Sequence, residues 1–114
     1  MFKHILINQT NFLSTKPESL LEPLNYQLLT DVRQFEPKTD CIITSSLNPD
    51  FSLVFGFIKA IITEAGSTLS HLSILAREYQ IPIIRIPNLI SKLPSMGKLQ
   101  IYTSKIIFLT DNEN

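Results

Sequence analysis

Short apolar runs alternate with helical patterns between residues 41 and 86, and this order constrains the fold more than any other feature. A strand–helix–strand–helix–strand order implies a parallel sheet whose strands are joined by crossover helices. The sequence therefore predicts an α/β fold. The predicted strands are rich in β-branched residues and cover Cys41 to Thr44, Ala60 to Thr63 and Ile81 to Ile86.

Two helices are predicted between these strands. In the first, Asn48-Pro49-Asp50 forms a turn that caps a short helix. The second, Ser70 to Gln80, has the strongest helical pattern in the chain. Each helix has an apolar face expected to pack on the sheet: Phe51, Val54, Phe55 and Ile58 in the first, and Leu72, Leu75, Ala76 and Tyr79 in the second.

The two ends of the chain carry weaker patterns. Residues 9–18 read as a loop, and a short helix is predicted from Pro17 through Leu21, ended by Pro23. Extra strands at both ends suggest a second sheet or an antiparallel edge. These strands are predicted at Phe2 to Asn8, at Tyr26 to Val32 (where strand is favoured over helix), at Lys98 to Tyr102 and at Lys105 to Leu109, the last two joined by a turn at Thr103-Ser104.

Composition narrows the possible functions. The 114 residues fit one domain, and ten basic residues balance ten acidic ones, which argues against non-specific binding to nucleic acid or anionic membranes. The single cysteine, Cys41, excludes an internal disulfide and is expected to be a buried apolar residue. No secretion signal or membrane span is recognised, so we expect a cytoplasmic protein.

His71 is the best candidate for chemistry. It follows the strand that ends at Thr63 and a polar, glycine-containing turn, so it is expected in the first turn of the second helix. Ligands of parallel sheets gather at the carboxyl ends of strands, which is where this turn lies. Ser70 or Thr68 is predicted to be the N-cap, and the remaining first-turn amides point towards a bound oxyanion.

This arrangement suits a histidine that accepts a phosphoryl group, because amides and hydroxyls would hold the negative charge. The alternative is a helix-cap or core histidine without chemistry. An autonomous hydrolase is poorly supported, since no acid pair, metal cluster or Ser-His-Asp set is recognisable.

The residues around His71 resemble a known family, the swivelling phosphohistidine (mobile) domain of the phosphoenolpyruvate-utilising enzymes. These include pyruvate phosphate dikinase, phosphoenolpyruvate synthase and the rifampicin phosphotransferases. The segment from Thr44 to Phe51 resembles a second family segment, in which Asp-Pro is followed by an aromatic residue. The matching residues near the histidine are Thr63, Glu64, Gly66, Ser70, His71, Ser73, Ile74, Ala76, Arg77, Glu78, Ile81 and Pro82.

The resemblance implies a single swivelling-type domain over residues 1–114, with a divergent part at 1–40 and a motif-bearing core at 41–86. Its fold would be a three-layer β/β/α sandwich with a parallel central sheet. His71 would accept a phosphoryl group and pass it between partner nucleotide-binding and pyruvate- or phosphoenolpyruvate-type domains. The domain would bind no cofactor itself, and Mg²⁺ with ATP or phosphoenolpyruvate would bind to the partners, on which turnover as a phosphotransferase depends.

Several side chains are predicted to assist His71. Glu64 and Arg77 are assigned either to an ion pair or to phosphate contact. Support of the phosphate or its loop is assigned to Gly66, Ser67, Thr68, Ser70 and Ser73.

The chain also departs from the family pattern. Ser67 replaces the second glycine of the turn, Leu69 replaces a threonine, and Arg85 and Ile86 fall near a usual glycine. The family's N-terminal Ser-Pro-Gly segment is not recognisable, and no partner domain is present. A non-catalytic binding or regulatory module that retains the fold is therefore the alternative function.

Overall fold

The computed structural model describes residues 2–7, 11–14, 20–67, 70–102 and 105–111. No helix in this part of the chain is long and apolar enough to cross a membrane. Its strands are β1 (Phe2–Ile7), β2 (Asn11–Phe12), β3 (Leu20–Leu28), β4 (Cys41–Thr44), β5 (Ala60–Thr63), β6 (Ile83–Arg85), β7 (Met96–Ile101) and β8 (Ile106–Asp111). Its helices are α1 (His71–Glu78) and the 3₁₀ helices η1 (Val32–Gln34), η2 (Pro49–Val54) and η3 (Ile90–Lys92).

The strands form one mixed sheet in the order β1-β8-β7-β3-β4-β5-β6-β2. Strands β3, β4, β5 and β6 are parallel neighbours, and the remaining pairs are antiparallel. The prediction of a parallel central sheet was therefore only partly right. Segments that contain η1, η2 and α1 are long enough to return the chain to the same end of the sheet, whereas the short β7–β8 connection allows only antiparallel pairing.

The sheet has apolar residues on both faces. On one face, Ile42, Ile61 and Ile83 belong to a cluster that includes the buried side chains of η2 and α1. The opposite face is lined by alternate residues of the same strands. That second cluster extends from β6 to Phe108 of β8, so the sheet curls around it.

The elements predicted in the middle of the chain are confirmed. Strands β4 and β5 have the predicted bounds, and α1 and β6 lie within their predicted ranges. The helix predicted after Asn48 is a 3₁₀ helix, and the Asn48 side chain accepts a hydrogen bond from Asp50 N at 2.9 Å. All four residues of its predicted apolar face are buried. Of the predicted apolar face of α1, Leu72 and Ala76 are buried, whereas Tyr79 is 59% exposed.

The predicted short helix from Pro17 to Leu21 was wrong where it can be compared, because Leu20 and Leu21 belong to β3. Pro23 does not end an element there. It lies where the β3–β7 register shifts between Leu20 and Leu24, and proline is tolerated in a sheet at such an irregularity. Residues 15–19 and the turn predicted at residues 103 and 104 lie outside the described residues.

The loop predicted at residues 9–18 was also wrong in one place, because Asn11–Phe12 forms β2. This two-residue strand pairs with β6 at the end of the sheet. Two residues are too few to show an alternating pattern in the sequence. The strand forms because it pairs with residues more than seventy positions away, which local patterns do not reveal.

Helix α1 ends in a turn that requires a left-handed residue. Ile81 N donates to Ala76 O at 2.9 Å and Gln80 N donates to Arg77 O at 3.2 Å, the two bonds of a Schellman motif. Gln80 occupies the left-handed position with φ 58°. Glycine is the residue that adopts this conformation without strain from a Cβ atom.

We therefore expect Gln80→Gly to stabilise the protein by about 0.5–1 kcal/mol. Chemical denaturation followed by circular dichroism measures the change in unfolding free energy. Glu78→Gly is the matched control, because it places glycine inside the helix and should destabilise by about 1 kcal/mol. A loss of stability in Gln80→Gly would contradict the assignment of the cap.

Candidate functional site

Two buried threonines shape the carboxyl ends of adjacent strands. Thr44 and Thr63 are register partners of β4 and β5. Thr44 Oγ1 donates to Ser46 O at 3.0 Å, and Thr63 Oγ1 donates to Ala65 O at 2.6 Å. Each hydroxyl thus turns the backbone immediately after its strand, and the bond of Thr63 begins the turn that leads to His71.

Gly66 allows other segments to approach this turn closely. Its φ is +156°, and a Cβ atom there would lie 3.0 Å from Cδ1 of both Leu13 and Leu47. The glycine therefore lets the turn pack directly on two leucines of other segments. Ser67, in place of the family's second glycine, is exposed and does not have a positive φ, so its side chain is accommodated.

The start of α1 is fixed by a hydroxyl network. Ser70 is the N-cap: its Oγ accepts from Ser73 N at 3.1 Å and donates to Ser73 Oγ at 2.7 Å. Ser73 Oγ donates in turn to Ser67 O at 2.8 Å. Ser73 is fully buried, and through it this network joins the turn to the first turn of the helix. Both hydroxyls support the loop, whereas their predicted contact with phosphate stays a prediction.

His71 is the first residue of α1, as predicted, and it is exposed. The Ser73 amide is taken by Ser70 Oγ and the Ile74 amide by Ser70 O, at 3.1 Å each. The amides of the first helical residues have no acceptor within a helix, and they carry its positive dipole end. His71 thus presents an imidazole to solvent beside a helix end that favours anions.

Glu64 and Arg77 bind backbone groups of different segments. Glu64 Oε2 accepts from Ile90 N at 2.8 Å, so it caps η3. Arg77 Nη2 donates to Leu13 O at 3.3 Å, which ties α1 to the segment after β2. The described part of the chain contains an Arg33–Asp31 ion pair, and the assignment of Glu64 and Arg77 to an ion pair or to phosphate contact stays a prediction. Thr68 lies outside the described residues.

Arg85 was assigned no role in the site from the sequence. It ends β6 beside Thr63, and its Nε is buried without a hydrogen-bond partner among the described residues. Its signal in the sequence is a single charged residue inside the apolar run from Ile81 to Ile86. A buried donor without an acceptor costs about 1–3 kcal/mol, so this position calls for an explanation.

Residues 36–94 match the family model of the PEP-utilising enzyme mobile domain. This chain belongs to that family. The match covers β4, η2, β5, α1 and β6, and hence the whole turn that carries His71. The resemblance of residues 41–86 to this mobile domain family is therefore confirmed.

Three curated relatives of this mobile domain are much longer proteins. The chain is 35% identical over 72 residues to the uncharacterized phosphotransferase YvkC of Bacillus subtilis, covering 63% of this chain and 8% of that protein. It is 36% identical over 45 residues to rifampicin phosphotransferase of the same organism, covering 40% of this chain and 5% of that protein. It is also 36% identical over 56 residues to chondramide synthase of Chondromyces crocatus, covering 49% of this chain and 1% of that protein.

Proposed function

We propose that this mobile domain is a phosphocarrier in which His71 accepts a phosphoryl group and passes it between the active sites of partner domains. The observation that supports this most directly is the exposed imidazole of His71 at the start of α1, behind a turn that the hydroxyls of Ser70 and Ser73 join to the helix. Hydrogen bonds of Ser70 and Ser73 tie Ser67 to the start of the helix, and the histidine itself is open to a partner. Two of the three relatives are phosphotransferases by name.

The proposed reaction needs few groups from this domain. An imidazole nitrogen of His71 forms a bond to the phosphorus of the donor while the bond from phosphorus to the leaving oxygen breaks. In the second step the acceptor oxygen attacks the same phosphorus and the imidazole leaves. First-turn amides of α1 stabilise the charge of the carried group in between.

The donor and acceptor sites belong to partners in this proposal. The chain spans about a tenth or less of the length of the relatives that it matches. A nucleotide-binding partner and a pyruvate- or phosphoenolpyruvate-type partner would hold ATP or phosphoenolpyruvate with Mg²⁺, and this domain would bind no cofactor. The curled sheet, with α1 and η2 on one face, supports the finer proposal of a three-layer β/β/α swivelling domain.

Labelling with radioactive phosphate tests the proposal. The chain is mixed with its nucleotide-binding partner, Mg²⁺ and ATP labelled in the transferable phosphate, or with the phosphoenolpyruvate-type partner and labelled phosphoenolpyruvate. We expect a phosphoprotein whose label is lost in acid and kept in alkali, as for phosphohistidine. Absence of label with both partners, in the presence of a stable complex, would contradict the carrier and support the non-catalytic binding module.

A further inference from the structure

We propose that the Arg85 guanidinium binds the phosphoryl group carried by His71. This inference rests on the proposed function, since it assigns a cation to the same site. It starts from a residue that the sequence motif does not include and that the described contacts leave unexplained. Three placements in the fold and one chemical argument support it.

The first placement is at the edge of the sheet. Arg85 is the last residue of β6 and the register partner of Thr63, the last residue of β5. Neighbouring strands are about 4.8 Å apart. The chain runs from Thr63 directly into the turn that carries His71. Arg85 therefore lies at the same edge as the proposed site, one strand away from where its turn begins.

The second placement is on the face of the sheet. Side chains alternate along a strand, and Ile83 belongs to the cluster beneath α1 whereas Ile84 belongs to the opposite cluster. Arg85 follows Ile83 by two residues, so its side chain projects towards α1. Arg85 and α1 consequently lie on the same side of the sheet.

The third placement is along the axis of α1. Arg77 of α1 donates to Leu13 O, and Leu13 N donates to Ile83 O at 2.8 Å, so the helix near Arg77 lies close to the level of Ile83. Arg85 lies about 6.6 Å further towards the carboxyl edge. Along α1, a rise of this length corresponds to about four residues counted from Arg77 towards the N-terminus. Long helical side chains also point towards the N-terminus of their helix. Arg85 thus lies level with the first turn of α1, the turn that begins with His71.

The chemistry of Arg85 fits a phosphate group. Its guanidinium is permanently charged, and its planar set of donors matches phosphate oxygens. Its Nε is buried and has no hydrogen-bond partner among the described residues, and the ion pair recorded there is Arg33–Asp31. A phosphoryl group at the start of α1 would supply both the missing acceptor and the missing negative charge.

Phosphoramidate tests this inference on the isolated chain. An imidazole nitrogen of His71 forms the bond to phosphorus, the P–N bond of phosphoramidate breaks, and ammonia leaves with the proton. We expect Arg85→Gln to be labelled about tenfold more slowly than wild type, and its phosphohistidine to hydrolyse about tenfold faster, as for loss of one charge-assisted hydrogen bond. Arg85→Lys should be intermediate, because it keeps the charge but loses the planar donors.

Arg33→Gln is the matched control, because it removes the same charge from an exposed arginine whose side chain is paired with Asp31. It should be labelled at the wild-type rate. Nuclear magnetic resonance of the wild-type protein gives a second readout that needs no variant. The Nε–H signal of Arg85 should move when His71 is phosphorylated.

Equal labelling and hydrolysis in wild type and Arg85→Gln, or an Nε–H signal that stays in place on phosphorylation, would overturn the role of Arg85. Labelling by the partner chains tests the carrier function separately, so the two can fail independently. If wild type takes no label from phosphoramidate, the protein is titrated with inorganic phosphate while the Arg85 Nε–H signal is followed. A shift of the Arg85 Nε–H signal supports the phosphate site, and an unmoved signal refutes it.

Discussion

His71→Ala is expected to reduce phosphoryl labelling by the partner chains to background, at least a hundredfold below wild type. The substitution removes the nucleophile of the proposed reaction, and no neighbouring group replaces its chemistry. Because His71 is exposed and is not the N-cap, its loss should leave the fold intact. The measurement is transfer of labelled phosphate to the chain, with a thermal unfolding curve for each variant.

The other histidine of the chain provides the matched control. His4→Gln changes the same residue type in β1, so it should be labelled like wild type. His71→Gln, which keeps a polar side chain but no nucleophilic ring, should behave like His71→Ala. If His71→Ala kept the acid-labile label and His4→Gln lost it, the phosphoryl group would be on His4, and the proposal for His71 would be contradicted.

Ser73→Ala is expected to lower the free energy of unfolding by about 2 kcal/mol. The Ser73 hydroxyl accepts from Ser70 Oγ at 2.7 Å and donates to Ser67 O at 2.8 Å in a fully buried position. Without it, Ser70 Oγ loses an acceptor and Ser67 O loses a donor. Because the same network holds the turn before His71, labelling should also slow. Chemical denaturation and the labelling rate measure the two effects.

Two further variants make this prediction specific. Ser91→Ala removes the hydroxyl of an exposed serine of η3 and should change stability by less than about 0.5 kcal/mol. Ser70→Ala should destabilise by about 1 kcal/mol through loss of the N-cap. The double variant Ser70→Ala/Ser73→Ala should cost less than the sum, because both changes break one network. Strict additivity would show that the two hydroxyls act independently.

The middle of the chain was predictable because its signals are local. The β-branched runs at Cys41–Thr44 and Ala60–Thr63 are bounded by turn residues, and both became strands at those bounds. The Ser70 cap lies immediately before the helical pattern of α1. At the N-terminal side, the helical pattern near Leu20 was overridden by pairing of β3 with β7.

The candidate site divides in the same way. His71, Gly66 and Ser70 stand close together in the chain, so motif and capping rules placed them in one turn before the fold was known. The contacts that tie this turn to the rest of the domain join segments that are distant in the chain. Leu13 packs on Gly66, and Glu64 caps η3 at Ile90. No local rule relates positions that far apart.

By itself, the sequence determined the alternation of strands and helices in the middle of the chain and the place of His71 at a helix start, because periodicity and capping act within a few residues. Only the tertiary structure decided that the sheet is mixed and curled. It also decided that Arg85 ends a strand beside Thr63, with its Nε buried and without a hydrogen-bond partner in the described part of the chain. Strand pairing and burial depend on which distant segments meet, and that choice is made by the packing of the whole domain.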